Sequence, residues 1–216
     1  MHLKNLCFVV PLLACLSSNP SHAGIVIRID MDSVLPGIQS TVLALPGATI
    51  TAGLWMELTS PSSISSYNFS VRYDSNELTF ASRSETPGNL TGLSEIDNGA
   101  AEAAPYTING VPGMVLSRFD GATLGNGPVG PFGPVKVAEV NFTSSAIAGD
   151  LLDLDIVPGT FDTLFNEFFD NNGNFVNANI QFFGGSVTAV PEPSSMMLLG
   201  GATAALAWRR NRKLKA

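Results

Sequence analysis

Asp153 and Asp155 have the spacing of a catalytic carboxylate pair. Two residues apart on a predicted strand, they share one face at a separation of about 7 Å. Paired carboxylates at such separations hydrolyse glycosidic bonds. Leucine and isoleucine alternate with them, however, which is the pattern of a half-buried strand with one solvated face. The solvated face is the favoured interpretation, and a glycosidase that uses carboxylates alone is a distant alternative.

Asp170, Asn172 and Asn174 place oxygen ligands at alternate positions, as calcium loops do. The segment lacks the glycine and glutamate spacing of the EF-hand loop. Asn172-Gly173 between aromatic residues is instead a strong hairpin-turn signal. We therefore predict a turn, with calcium as the minority alternative and no other cofactor.

Cysteine and histidine occur only within the first 23 residues, at Cys7, Cys15, His2 and His22. The rest of the chain therefore has no Ser-His triad, cysteine nucleophile, zinc site built on His or Cys, haem attachment site or disulfide. Together with the weak case for Asp153 and Asp155, this absence predicts that the protein is not an enzyme.

Charge is distributed unevenly along the chain. Residues 24–189 hold 17 acidic and five basic side chains, a formal charge of −12, whereas the whole chain has −7. Binding to nucleic acid depends on Lys and Arg at phosphates, so this region is not expected to bind it. The acidity suits a protein outside the cell.

The N-terminus is built as a secretory signal peptide over residues 1–23. Lys4 supplies a positive charge, and residues 6–16 form an apolar stretch too short to span a bilayer comfortably. Ser21 and Ala23 place small residues where signal peptidase reads the chain. Cleavage between Ala23 and Gly24 is therefore expected.

The C-terminus, residues 190–216, has three parts. Val190-Pro191-Glu192-Pro193 comes first, an uncharged run over residues 196–208 follows, and a basic cluster ends the chain. Thirteen helical residues rise about 20 Å, less than the roughly 30 Å hydrocarbon core. The basic cluster should stay in the cytoplasm.

This order of parts resembles the PEP-CTERM sorting signal of bacteria, a tail also known as the ice-binding protein C-terminal domain. The resemblance implies that a membrane-embedded exosortase recognises the tetrad Val190–Pro193 and removes the tail. A plain membrane anchor that stays in place is the alternative.

The region between the two signals, residues 24–189, reads as one all-β domain of eight or nine short strands, a sandwich or barrel. A helical period of phenylalanines and Leu164 predicts a short helix at 160–168. Residues 85–105 and 121–134 are predicted to be surface loops. The strands are predicted at 25–29, 48–58, 69–74, 78–80, 115–119, 136–142, 152–157, 179–183 and 185–188.

Four stretches resemble a cohesin-type domain of the carbohydrate-binding-module-like jelly-roll superfamily. They are the Pro-Gly strand opening at 46–51, the strand, Tyr-Asp turn and strand at 69–80, the strand at 137–142, and the ending at 169–174 with 185–188. The resemblance implies a single jelly-roll sandwich. A dockerin partner is a minor alternative, because no dockerin-binding motif is matched.

The sequence thus predicts an exported, non-catalytic surface or extracellular-matrix protein, associated with adhesion or with exopolysaccharide and biofilm. A carbohydrate-binding module is the main alternative, although Trp55 is the only tryptophan in residues 24–189 and such platforms usually align several rings. Ice binding is a distant alternative, since no regular Thr-x-Thr ladder is present. The expected partners are signal peptidase, an exosortase-type peptidase and exopolysaccharide.

Overall fold

The computed structural model describes residues 24–59, 62–94, 102–108, 111–123, 125–145, 153–158, 168–176 and 180–190. These ranges hold eleven strands and one 3-10 helix at Pro87–Asn89. None of their helices is long and apolar enough to cross a membrane. The strands are β1 (Ile25–Asp30), β2 (Thr41–Ala44), β3 (Thr49–Leu58), β4 (Ser66–Asp74), β5 (Leu78–Glu85), β6 (Glu102–Ile108), β7 (Val111–Ala122), β8 (Phe132–Ser144), β9 (Leu154–Pro158), β10 (Ile180–Phe183) and β11 (Ser186–Ala189).

The strands form two main sheets and a small third one. The first sheet has the order β10-β1-β3-β8-β5, and the second has the order β6-β7-β4-β9. Most neighbours are antiparallel, but β10 runs parallel to β1. The third sheet is the parallel pair of β11 and β2.

One apolar core lies between the two main sheets. Alternate residues of β1, namely Ile25, Ile27 and Ile29, share one face of the strand and are at most 1% exposed. Tyr73 of the second sheet packs on Phe142 of the first, with ring centroids 5.1 Å apart. Burial of each such side chain stabilises the folded state by about 1.5–3 kcal/mol, so the shared core holds the two sheets face to face.

The predicted all-β sandwich is confirmed, and each of the nine predicted strands overlaps an observed one. Two further strands were missed. β2 is only four residues long, and two of these are exposed, so it has little apolar pattern to detect. β6 lies partly in the segment predicted as a loop at 85–105, where pairing with β7 organises a stretch of weak strand pattern.

The loop predicted at 121–134 is also shorter than expected, since β7 continues to Ala122 and β8 begins at Phe132. Most of the helix predicted at 160–168 lies outside the described residues. Phe168, its last residue, is fully buried. It stacks near Tyr67, with ring centroids 6.3 Å apart.

Candidate functional site

The last strand of the sandwich leads directly into the predicted sorting tetrad. β11 pairs in parallel with β2, with Ala189 opposite Ala44. The next residue, Val190, donates its backbone N–H to the carbonyl oxygen of Ala44 at 2.9 Å. The first residue of the tetrad is therefore hydrogen-bonded to the folded domain, while residues 191–216 lie outside the described part of the chain.

Two features fix β11 to the body of the sandwich. The carboxylate of Asp153 accepts a hydrogen bond from the backbone N–H of Val187. Gly185 exchanges backbone hydrogen bonds with Leu154. A Cβ at Gly185 would lie 2.3 Å from the sulfur of Met31, so a side chain there would displace the core. These contacts fix the position of β11, and with it the point at which the tail begins.

Asp153 and Asp155 were predicted to lie on a solvated face, and for Asp153 this prediction is wrong. Asp153 is fully buried because its carboxylate serves the β11 backbone. Asp155, which is half-buried, forms an ion pair with Arg72 on the neighbouring strand β4. Both carboxylates therefore have structural partners, and the geometry gives them no role as a catalytic pair.

Asp170, Asn172 and Asn174 form the predicted turn. One carboxylate oxygen of Asp170 accepts the backbone N–H groups of Asn172 and Asn174, at 2.8 and 2.9 Å, and the other accepts the Asn174 side-chain amide. These bonds, the backbone bond from Asn174 first, lower the pKa of Asp170 from its ordinary value of 3.8. Gly173, with φ of +77°, completes the turn.

The calcium alternative at this turn stays a prediction. Within the described ranges, no three or more acidic, histidine or cysteine side chains come together as a metal site.

A second candidate site lies on the outer face of the five-stranded sheet. Phe183 of β10 is opposite Arg28 of β1, Arg28 is opposite Trp55 of β3, and Trp55 is opposite Lys136 of β8. Residues paired across neighbouring strands project to the same face, about 4.8 Å apart. The four side chains therefore form a transverse row in which aromatic and basic residues alternate. We call this the aromatic–basic row.

A register shift in the pairing of β3 with β8 sets the last position of the row. Leu54 is opposite Ala138, but the next residue, Trp55, is opposite Lys136, so Val137 is the extra residue of a bulge. Bulges of this kind redirect side chains and are frequent beside functional sites. Here the shift brings the Lys136 side chain next to Trp55, and its ammonium group binds Glu139 at 2.8 Å.

Arg28 and Phe183 line an open groove at one end of the row. The Arg28 guanidinium lies over the Phe183 ring, 4.6 Å from its centroid, and Glu57 lies 3.8 Å from the guanidinium. The groove has a volume of about 600 Å³ and is further lined by Ser40 and Pro134. Because 43% of Phe183 is exposed, a ligand in the groove could contact both aromatic and charged groups.

Trp55 stands in the middle of the row, and its indole nitrogen lies beside Gly53 of the same strand. A Cβ at Gly53 would lie 2.8 Å from the indole Nε1, so the glycine makes room for the ring. This Nε1 is buried and donates to no group in the described part of the chain. The indole thus fills the space that Gly53 leaves open, at the position in the row between Arg28 and Lys136.

Of the row, the sequence analysis singled out only Trp55, and it missed Arg28, Phe183 and Lys136. A signal for Arg28 was present, because it is a lone cation between isoleucines on an alternating strand. The pairing of four strands that are distant in the sequence could not be read from the chain.

Comparison with known proteins identifies the tail. Residues 189–213 match the family model of the PEP-CTERM protein-sorting motif. The match confirms the sequence resemblance and marks the chain as an exported protein processed by an exosortase-type system. A search of curated proteins found no match.

The solved structures that align with the chain include several cohesin modules. One is a cohesin module from a Clostridium perfringens family 33 glycoside hydrolase, with 13% identity, a TM-score of 0.45, and 78% of this chain and 99% of that chain covered. A non-cellulosomal cohesin from the archaeon Archaeoglobus fulgidus has 15% identity and a TM-score of 0.37, with 81% and 97% covered. The sixth cohesin of Acetivibrio cellulolyticus scaffoldin B, solved with a Cel5 dockerin, has 17% identity and a TM-score of 0.43, with 77% and 99% covered.

Proposed function

We propose that this chain is a non-catalytic surface or extracellular-matrix protein that is exported, held briefly in the membrane by its tail and released by an exosortase-type peptidase. The observation that carries the proposal is the position of the PEP-CTERM motif. It begins at residue 189, the last residue of β11, so the sorting signal follows the folded domain without a linker. Such an arrangement delivers the whole sandwich to the outside of the cell.

Replacement of Pro191, Glu192 and Pro193 by alanine tests the proposed sorting. The triple variant should stay in the membrane fraction with its tail attached, because the peptidase no longer recognises the tetrad. Replacement of the neighbouring Ser194 and Ser195 by alanine is the matched control and should leave release unchanged. Normal release of the triple variant, at the mass of the processed wild type, would overturn the exosortase pathway.

A second function, binding of extracellular polysaccharide, is supported by the aromatic–basic row. Aromatic rings offer an apolar face to a sugar ring, and arginine and carboxylate side chains hydrogen-bond to its hydroxyl groups. The groove provides these groups together, with Phe183, Arg28 and Glu57 in contact range of one another. The geometry thus favours a glycan ligand on this face of the sheet.

The row concentrates polar hydrogen-bonding groups as well as aromatic rings. Only five basic residues occur in residues 24–189, and two of them, Arg28 and Lys136, belong to the row. Each of them lies beside a glutamate, Glu57 for Arg28 and Glu139 for Lys136, so the row as a whole carries no excess of positive charge.

Glycan-array binding of the exported chain separates this function from adhesion through protein contacts. Phe183→Ala and Trp55→Ala should abolish binding to the glycans that the wild type recognises. Phe175→Ala is the matched control, since Phe175 is 59% exposed but lies outside the row. If no glycan binds, or if Phe175→Ala weakens binding as much as Phe183→Ala does, the row is not a carbohydrate site.

A further inference from the structure

Exposed apolar side chains gather at the end of the sandwich where the chain leaves the fold. We call this the exit end. It contains the end of β11, the turn in which Ala48 N–H donates to the Leu45 carbonyl at 3.0 Å, and Ser144, whose carbonyl accepts Gly47 N–H at 2.8 Å. Leu43 and Leu45 are 70% and 48% exposed, and they flank Ala44, the residue that binds Val190.

Two more exposed apolar residues lie in the segment that connects β1 to β2. Val34 is 83% exposed and Leu35 is 55% exposed. Four of the seven large apolar residues that are exposed in the described ranges therefore fall between residues 34 and 45. Val129 and Phe175 lie at the opposite end, where Val129 pairs with Ser63 just before β4, and Phe169, the partner of Phe175, pairs with Ser66.

The tether between the exit end and the apolar part of the tail is short. Val190 is bound to the fold, and the uncharged run begins at residue 196, so five residues lie between them. Even fully extended, this stretch reaches only about 20 Å. The uncharged run is itself shorter than the hydrocarbon core, which draws its flanking residues into the headgroup layer. The exit end is therefore held at the membrane surface.

We propose that, until the tail is removed, the exit end rests on the outer surface of the membrane, with Leu43 and Leu45 inserted into the headgroup layer. This inference rests on the proposed function, because it requires the tail to be in the bilayer. The contact orients the sandwich with its exit end towards the membrane. It also places the tetrad at a fixed distance from the hydrocarbon core.

The contact is apolar in nature. Asp30 and Asp32 stand at the end of β1 that leads into this connection, and the described part of residues 31–48 holds no basic side chain. Attraction to anionic lipids therefore contributes nothing here. Burial of two leucine side chains is weak on its own, but the tail holds them at high effective concentration beside the bilayer.

Single cysteines carrying an environment-sensitive fluorophore test the proposal. The chain is exported in a bacterial host without an exosortase, so that it keeps its tail, and is reconstituted into phosphatidylcholine vesicles. Cys7 and Cys15 are replaced by serine, which leaves Leu43→Cys or Leu45→Cys as the only thiol. The label should shift to the blue and be quenched by nitroxide-bearing lipids. Val129→Cys and Phe175→Cys are the matched controls and should show neither effect.

Each other result has a distinct meaning. If the chain floats with the vesicles but the labels at 43 and 45 behave like the controls, the surface contact is wrong and the membrane-held tail stands. If the chain does not float with the vesicles, the tail does not insert, and the proposed function fails with the inference. A blue shift that disappears when the chain is diluted among more vesicles would show that a second copy covers the leucines, and would overturn the proposal.

Discussion

Asp153 illustrates how a residue that resembles a catalytic group can belong to the architecture. Alternation with leucine and isoleucine predicted a solvated carboxylate, but the side chain is fully buried. The reason is a contact with the N–H of Val187, 34 residues further along the chain. Such a partner cannot be deduced from local periodicity, because it depends on where the last strand is placed.

Asp153→Ala should lower the free energy of unfolding by about 2 kcal/mol, since it leaves the buried Val187 N–H without its acceptor. Asp155→Ala, which removes a half-exposed partner of Arg72, should cost at most about 1 kcal/mol. Urea unfolding of both variants measures the difference. Equal losses would contradict the assigned role of Asp153.

Asp170 should stabilise its turn only while it is ionised. Its pKa is lowered in the folded state, so its contribution is fully present above the ordinary value of 3.8 and is lost as the pH falls through the lower folded-state pKa. The difference in Tm between wild type and Asp170→Asn should therefore be constant above about pH 5 and shrink below 3.8. A difference that persists unchanged in acid would contradict this role.

Two phenylalanines in contact should differ in their contribution to stability. Phe142 is completely buried, whereas Phe80, with its ring centroid 6.3 Å away, is only partly buried at the edge of the core. Phe142→Ala should cost about 3–5 kcal/mol, and Phe80→Ala about half as much, because less surface is removed from water on folding. Denaturant unfolding gives both values, and a larger loss for Phe80→Ala would contradict the packing.

At the scale of secondary structure, strong alternation predicted strands well. β1, β3 and β8 are long or strictly alternating, and their positions followed from the sequence. β2 and β6 were missed because their own sequences have little apolar alternation. They form strands through pairing with a neighbour, β11 in the case of β2 and β7 in the case of β6.

The face of β4 opposite the core shows the same limit. Alternation along the strand puts Ser70 and Asp74 on the face away from Phe69, Val71 and Tyr73, yet both are buried, at 0% and 3% exposure. Alternation therefore identified the two faces correctly but not their exposure. The aromatic–basic row was inaccessible to sequence reasoning for a related reason, since register across four strands creates it.

For the whole molecule, each targeting signal adjoins the folded domain directly. β1 begins one residue after the predicted signal-peptidase site, and Gly24 already accepts a backbone hydrogen bond from Thr59 at 3.1 Å. The sorting motif starts where β11 ends. Removal of both signals would leave every described strand intact, so the mature protein would be the sandwich alone.

The intact mass of the protein recovered from the cell surface and medium tests this account most directly. We predict a single chain that begins at Gly24 and ends before the uncharged run at residue 196, because both signals have been removed outside the fold. A surface protein whose mass includes residues 196–216 would contradict the account, since the tail would then be a permanent anchor and not a sorting signal.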